Sequence, residues 1–165
     1  MLRFVALLAM AGLTAAGQVM KDPPLPLPGL ANQRDAAVQF LSPEKITVPA
    51  HKASEVDLHF QVADGLHINS HKPLDKSLIP ARLAVVETPG LNVTAVDFPP
   101  GTEYTLRLAP QQKLSVYSGE FVLRAHLTVQ PGAHDLQGGL HYQACDANAC
   151  RPPSTIPFSV TVVGK

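Results

Sequence analysis

The sequence lacks tryptophan altogether, holds only two cysteines, and carries no net charge. Each shortage narrows what the chain can be. Thirteen basic residues balance thirteen acidic ones. Recognition of a phosphate backbone needs a positive excess, so nucleic acid is not the expected partner. Beyond the first turn of sequence no run is long and apolar enough to cross a bilayer, so no stable membrane insertion is expected. "GAHDLQGG" has no phosphate-loop spacing, and no Ser, His and Asp fall into a defensible catalytic arrangement. No internal repeat is evident.

What is present begins with an export signal. Arg3 supplies a positive start, Phe4 to Leu13 an apolar stretch, and Ala15-Ala16-Gly17 small residues for cleavage near Gly17 or Gln18. The apolar stretch is too short for a membrane span, and no cysteine stands at its end to take a lipid anchor. Residues 1–17 are therefore expected to be a signal peptide and the mature protein periplasmic or secreted, where a disulfide persists. Residues 18–34 include "KDPPLPLPGLANQ"; prolines 23, 24, 26 and 28 forbid regular helix there and favour a semi-rigid tether. The expected domain runs from residue 35 to residue 165, a length that suits one core.

That domain alternates. In "SEVDLHFQV", Val56, Leu58, Phe60 and Val62 share one parity, while Glu55, Asp57, His59 and Gln61 share the other. A period of two is the mark of a half-buried strand. "FVLRAHLTV" repeats it with Phe121, Leu123, Ala125, Leu127 and Val129, and "TIPFSVTV" with Ile156, Phe158, Val160 and Val162. Weaker strands are expected at 81–88, 91–98 and 136–144. Turn signals separate them: Asp64-Gly65, Pro89-Gly90, Pro99-Pro100-Gly101, Ser118-Gly119 and Pro131-Gly132. Sixteen prolines disfavour long helices. The expected fold is all-β, a two-sheet antiparallel β-sandwich. It lacks the antibody-type signature, because there is no Trp and the cysteines lie too close in sequence to bridge two sheets.

The two cysteines sit in "HYQACDANACRPPSTIPF". Three readings of Cys145 and Cys150 compete. As a staple, a loop of about six residues stabilises by roughly 2 kcal/mol, a small gain for a domain with its own core. As a metal clip, the thiols join His141 and one of His67 and His71, but nothing in the sequence brings those last two near. As a working dithiol, the pair flanks a tight turn within bridging reach. Cys145 leaves the strand on the parity opposite Leu140, Tyr142 and Ala144. Arg151 beside Cys150 favours a thiolate, the attacking form in exchange, and Pro152-Pro153 stiffens the exit. His59 and His126 take outward strand positions, and Tyr142 an inward one.

The stretch from about Val48 to Val162 resembles the N-terminal periplasmic domain of DsbD, the thiol:disulfide interchange protein. The matching pieces run in order: "VDLHFQVADGLHINSHKP", "LAVVETPGLNVTAVDFPPG", "YSGEFVLRAHLTV" and, most specific, "LHYQACDANACRPPSTIPFSVTV". The resemblance implies an immunoglobulin-like sandwich that carries an exchanging cysteine pair; such exchange needs no cofactor, and no metal site is expected. It implies that Cys150 attacks a partner disulfide and that Cys145 resolves the mixed disulfide. It also implies thioredoxin-like periplasmic partners, including those of cytochrome c biogenesis, and a membrane electron donor. A cap loop with an aromatic shield is implied within 102–117, where Tyr104 and Tyr117 are the candidates. After the Asp-Gly turn, where the best-known members carry flanking aromatics, this chain has Leu66, His67, Ile68 and Asn69. With the chain ending at Lys165, the electron source is expected to be another protein. The leading expectation is a thiol-disulfide oxidoreductase of the protein-disulfide reductase type. The alternative is a non-enzymatic immunoglobulin-like binding module with a structural disulfide; a histidine-cysteine metal carrier ranks third.

Overall fold

The structure is a computed structural model that describes residues 36–106 and 109–165. The expected signal peptide and proline-rich tether lie outside the described residues. The described residues form twelve strands and no helix. In chain order these are β1 (Val38–Phe40), β2 (Lys45–Val48), β3 (Ser54–Val62), β4 (His67–Asn69), β5 (Arg82–Val85), β6 (Leu91–Asp97), β7 (Thr102–Leu106), β8 (Ala109–Tyr117), β9 (Glu120–Val129), β10 (Gly132–Tyr142), β11 (Ala144–Cys145) and β12 (Ser154–Gly164).

Two four-stranded sheets, ordered β1-β3-β9-β6 and β2-β12-β10-β5, make the immunoglobulin-like sandwich. All their pairings are antiparallel except β2 with β12, which run parallel. The alternation read from the sequence is the alternation of burial. Val56, Leu58, Phe60 and Val62 are buried, as are Phe121, Leu123, Ala125, Leu127 and Val129, and Ile156, Phe158, Val160 and Val162. One-sided apolar strands stick by these faces because removing them from water is the largest favourable contribution to folding. Phenylalanines from both sheets meet in the middle. Phe60 lies 5.2 Å from Phe40 and 5.6 Å from Phe121 within its own sheet, and 6.3 Å from Phe158 across the sandwich. Tyr142 is buried in the same core, and that burial raises its hydroxyl pKa, with the Val38 backbone partly opposing the shift.

The outward parity carries charge. On β3 and β9, Arg124 pairs with Asp57 at 2.9 Å, and His59 with Glu120 at 2.8 Å. His126 bonds Asp97 at 2.7 Å.

A third sheet, ordered β11-β4-β8-β7, is drawn from both faces of the sandwich. The chain leaves β3 through the Asp64-Gly65 turn, where Gly65 takes φ +76°, and enters β4. It returns from β8 to β9 through Ser118-Gly119, with Gly119 at φ +63°. Both conformations favour glycine because a Cβ would crowd the backbone. From the opposite sheet, β10 passes through Gln143 into β11, which pairs with β4. The two cysteines fall on this third sheet.

Candidate functional site

Cys145 and Cys150 form a disulfide with an S–S distance of 2.04 Å. The loop between them is a miniature antiparallel turn built from local hydrogen bonds. The Asp146 N–H donates to the Ala149 carbonyl at 2.9 Å, and the Arg151 N–H donates to the Ala144 carbonyl at 2.8 Å. The Asp146 carboxylate accepts the N–H groups of Asn148 at 2.7 Å and Ala149 at 2.8 Å. An aspartate followed by small and amide residues makes this turn readily, because its side chain imitates a backbone acceptor two residues on. Those two backbone bonds hold the Asp146 carboxyl below its ordinary range, with a smaller contribution from Arg151. Gln143 closes the base by donating to the Arg151 carbonyl at 3.2 Å.

The two sulfur-bearing residues meet different surroundings. Cys150 is exposed, whereas Cys145 is only 4% exposed. Parity along the strand placed Cys145 opposite Leu140, Tyr142 and Ala144, facing away from the core. The ladder changes sheets at Gln143, so that parity does not decide exposure; Cys145 is buried in the third sheet instead.

Directly across the β4–β11 ladder from Cys145 stands His67. It is 3% exposed, and its Nε2 is buried without a hydrogen-bond partner. Burial holds its pKa below the usual histidine value, and the Asp146 carboxylate partly opposes that shift. Tyr104 on β7 lies against the imidazole, with ring centroids 4.3 Å apart. Of the two tyrosines named as shields, Tyr104 is therefore the one beside the site. Tyr117 belongs to the core, stacked on Phe121 at 4.8 Å. Its hydroxyl donates to the Pro99 carbonyl at 2.9 Å and accepts the His71 N–H at 3.2 Å.

The remaining histidines disperse. His71 stacks on Phe98, His134 bonds the Pro89 carbonyl, and His141 faces Thr155. Among the described residues, no three His, Cys, Asp or Glu side chains are arranged to hold a metal ion. Among the same residues, no helix is long and apolar enough to cross a membrane.

An all-β sandwich with one half-exposed disulfide on a side sheet is the class of protein that fold and site define. Within that class, the chain belongs to the family of the N-terminal domain of the thiol:disulfide interchange protein DsbD, whose model matches residues 37–161. Solved structures similar to it include the reduced N-terminal domain of DsbD from Neisseria meningitidis. That domain is 20% identical with a TM-score of 0.45, the match covering 70% of this chain and 82% of that one. The N-terminal periplasmic domain of ScsB from Proteus mirabilis is 15% identical with a TM-score of 0.47, over 75% of this chain and 43% of that one. A third is the complex between the DsbD and PilB N-terminal domains of Neisseria meningitidis, at 20% identity and a TM-score of 0.38, over 64% of this chain and 73% of that one. No curated protein sequence matches the chain significantly.

Proposed function

We propose that the chain is a periplasmic thiol-disulfide exchange domain that passes electrons between thioredoxin-like partners through Cys145 and Cys150. The observation that carries this reading is the asymmetry of the bond: within the family's cysteine segment, one residue is open to a visiting protein and the other is buried. Exchange proceeds by in-line attack of a thiolate on one sulfur of a disulfide, so one reachable sulfur suffices. In the reduced protein Cys150 attacks the partner's disulfide and forms the mixed disulfide. Cys145 then attacks Cys150, releases the partner and restores the internal bond. Arg151, adjacent to Cys150, favours the attacking thiolate. No cofactor enters the reaction. A membrane protein serves as the electron donor, and the leader at residues 1–17 delivers the domain beyond the membrane.

The test is a cysteine trap. Cys145→Ser should accumulate a mixed disulfide between Cys150 and a thioredoxin-like protein, stable without reductant. Cys150→Ser should accumulate none. Failure of Cys145→Ser to trap any such protein, with a wild-type reduction potential below about −300 mV, would mark the bond as structural.

A further inference from the structure

His67 has no task in the sandwich core, and the exchange reading gives it none. We propose that His67 is the proton donor and acceptor for Cys145, giving its sulfur a hydrogen bond and a proton route when the disulfide opens. This inference rests on the exchange reading. Residues directly opposed across an antiparallel ladder project to the same face, with Cβ atoms about 4.5–5.5 Å apart. The Cys145 and His67 pair stands in that relation. The imidazole is buried, yet its Nε2 finds no partner while the disulfide is closed. Buried polar atoms are normally satisfied, and an exception calls for a cause. Here the cause is that the partner exists in only one redox state: a sulfur in a disulfide carries no proton and no charge, whereas a thiol or thiolate offers both.

The charged and titratable groups around the imidazole fit this role. Tyr104 covers it from β7, and Asp146 acts on it from the disulfide loop, with Arg151 in turn acting on Asp146. The Asp146 carboxylate favours a passing positive charge on the ring, and burial prevents that charge from persisting.

The chemistry balances as follows. A protein dithiol loses one proton, and its thiolate attacks the Cys150 sulfur. A bond forms between the partner and Cys150, the Cys145–Cys150 bond breaks, and the electron pair stays on Cys145. A bare thiolate in a buried site is unfavourable. His67 Nε2–H bonds it; the ring takes one proton from solvent at Nδ1, passes through the imidazolium, and gives the Nε2 proton to the sulfur, leaving a thiol and a neutral ring with a bare Nε2. The partner's second thiol then loses its proton and attacks the partner's own sulfur in the mixed disulfide. Cys150 leaves as a thiolate and is protonated. Two electrons and two protons have passed from partner to domain. In the reverse direction His67 removes the Cys145 proton and generates the resolving thiolate.

The experiment uses the mature chain with dithiothreitol as the probe dithiol. His67→Phe keeps a ring against Tyr104 and removes both nitrogens. Circular dichroism should report the fold unchanged, while opening of the disulfide at neutral pH slows on the order of a hundredfold, the lower end of what a positioned acid or base contributes. In the Cys150→Ser background, the Cys145 thiol should titrate at higher pH when His67 is replaced. Wild-type and variant curves that coincide in both measurements would overturn the role of His67. Should His67→Phe fail to fold, the wild-type protein decides: the His67 ring nitrogens, followed by NMR, should titrate differently before and after reduction, and identical titrations reject the inference. The exchange reading fails separately, through the absence of a trapped adduct, while the thiol titration still reports on His67.

Discussion

At the scale of single residues, the site is defined by a difference in exposure across one covalent bond. Cys150 is open and Cys145 is 4% exposed. Alkylation follows access and thiolate content. Brief treatment of the reduced protein with iodoacetamide should therefore modify Cys150 first, as read by peptide mass spectrometry, and equal labelling would contradict the buried position of Cys145. The loop between them answers to pH through Asp146. Its folded carboxyl titrates below the ordinary aspartate value, chiefly because it accepts the Asn148 and Ala149 N–H groups. A depressed folded pKa contributes stability that is complete above the unfolded value, about 3.9, and is lost as pH falls through the lower folded value. Hydrogen exchange at Asn148 and Ala149, corrected for its intrinsic pH dependence, should lose protection across that acid window. Asp146→Ala should remove the protection at every pH. His67 works in the same sense from a higher starting point. Its folded pKa lies below 6.5, so the folded state binds fewer protons and loses stability as pH drops beneath that value.

At the scale of elements, the third sheet decides which tyrosine stands beside His67. Tyr104 on β7 touches His67, while Tyr117 on β8 sits in the core. Tyr104→Ala should cost about 1 kcal/mol, the usual worth of an aromatic pair, and should speed opening of the disulfide by dithiothreitol. Tyr117→Phe should also cost about 1 kcal/mol, through the hydroxyl's lost hydrogen bonds, and leave the opening rate unchanged. Urea titration and reduction kinetics on the two variants separate the roles, and equal kinetics would remove Tyr104 from the cover. This sheet was the part of the fold least legible in the sequence. The long strands β3, β9 and β12 announce themselves because one face meets the core and the other meets water. In β4 all three residues are buried, so His67, Ile68 and Asn69 show no alternation. Strands β1 and β2 span three and four residues, too few for a period to register. Tyr104 and Tyr117 look alike in sequence because only the lateral pairing of β7 and β8 separates them. The cysteines themselves were legible as a closable pair, since they flank an Asp-Ala-Asn-Ala turn. The burial of Cys145 was not, because it depends on the change of sheet at Gln143. A buried histidine opposite a cysteine likewise leaves no trace in spacing: His67 and Cys145 lie in distant parts of the chain and meet only through the β4–β11 ladder.

At the scale of the whole molecule, the sandwich and the disulfide are separable. The hydrophobic cluster spans both large sheets, whereas the Cys145–Cys150 bond closes a sequence separation of only five at one margin. Loop closure on that scale restrains the unfolded chain by about 2 kcal/mol. Phe60 presents the opposite case: it is fully buried and touches Phe40, Phe121 and Phe158. Truncating such a side chain removes its transfer free energy and leaves a cavity, for a total of about 3–5 kcal/mol. Denaturant unfolding of three proteins makes the comparison: wild type, the double variant Cys145→Ser/Cys150→Ser, and Phe60→Ala. The double variant should keep a cooperative transition and lose about 2 kcal/mol. Phe60→Ala should lose more than that while its disulfide stays intact. An exchange domain must survive the opening of its own bond on every cycle, so this ordering is what the proposed function demands of the fold. If the double variant unfolded outright while Phe60→Ala stayed folded, the bond would be the scaffold rather than the working part.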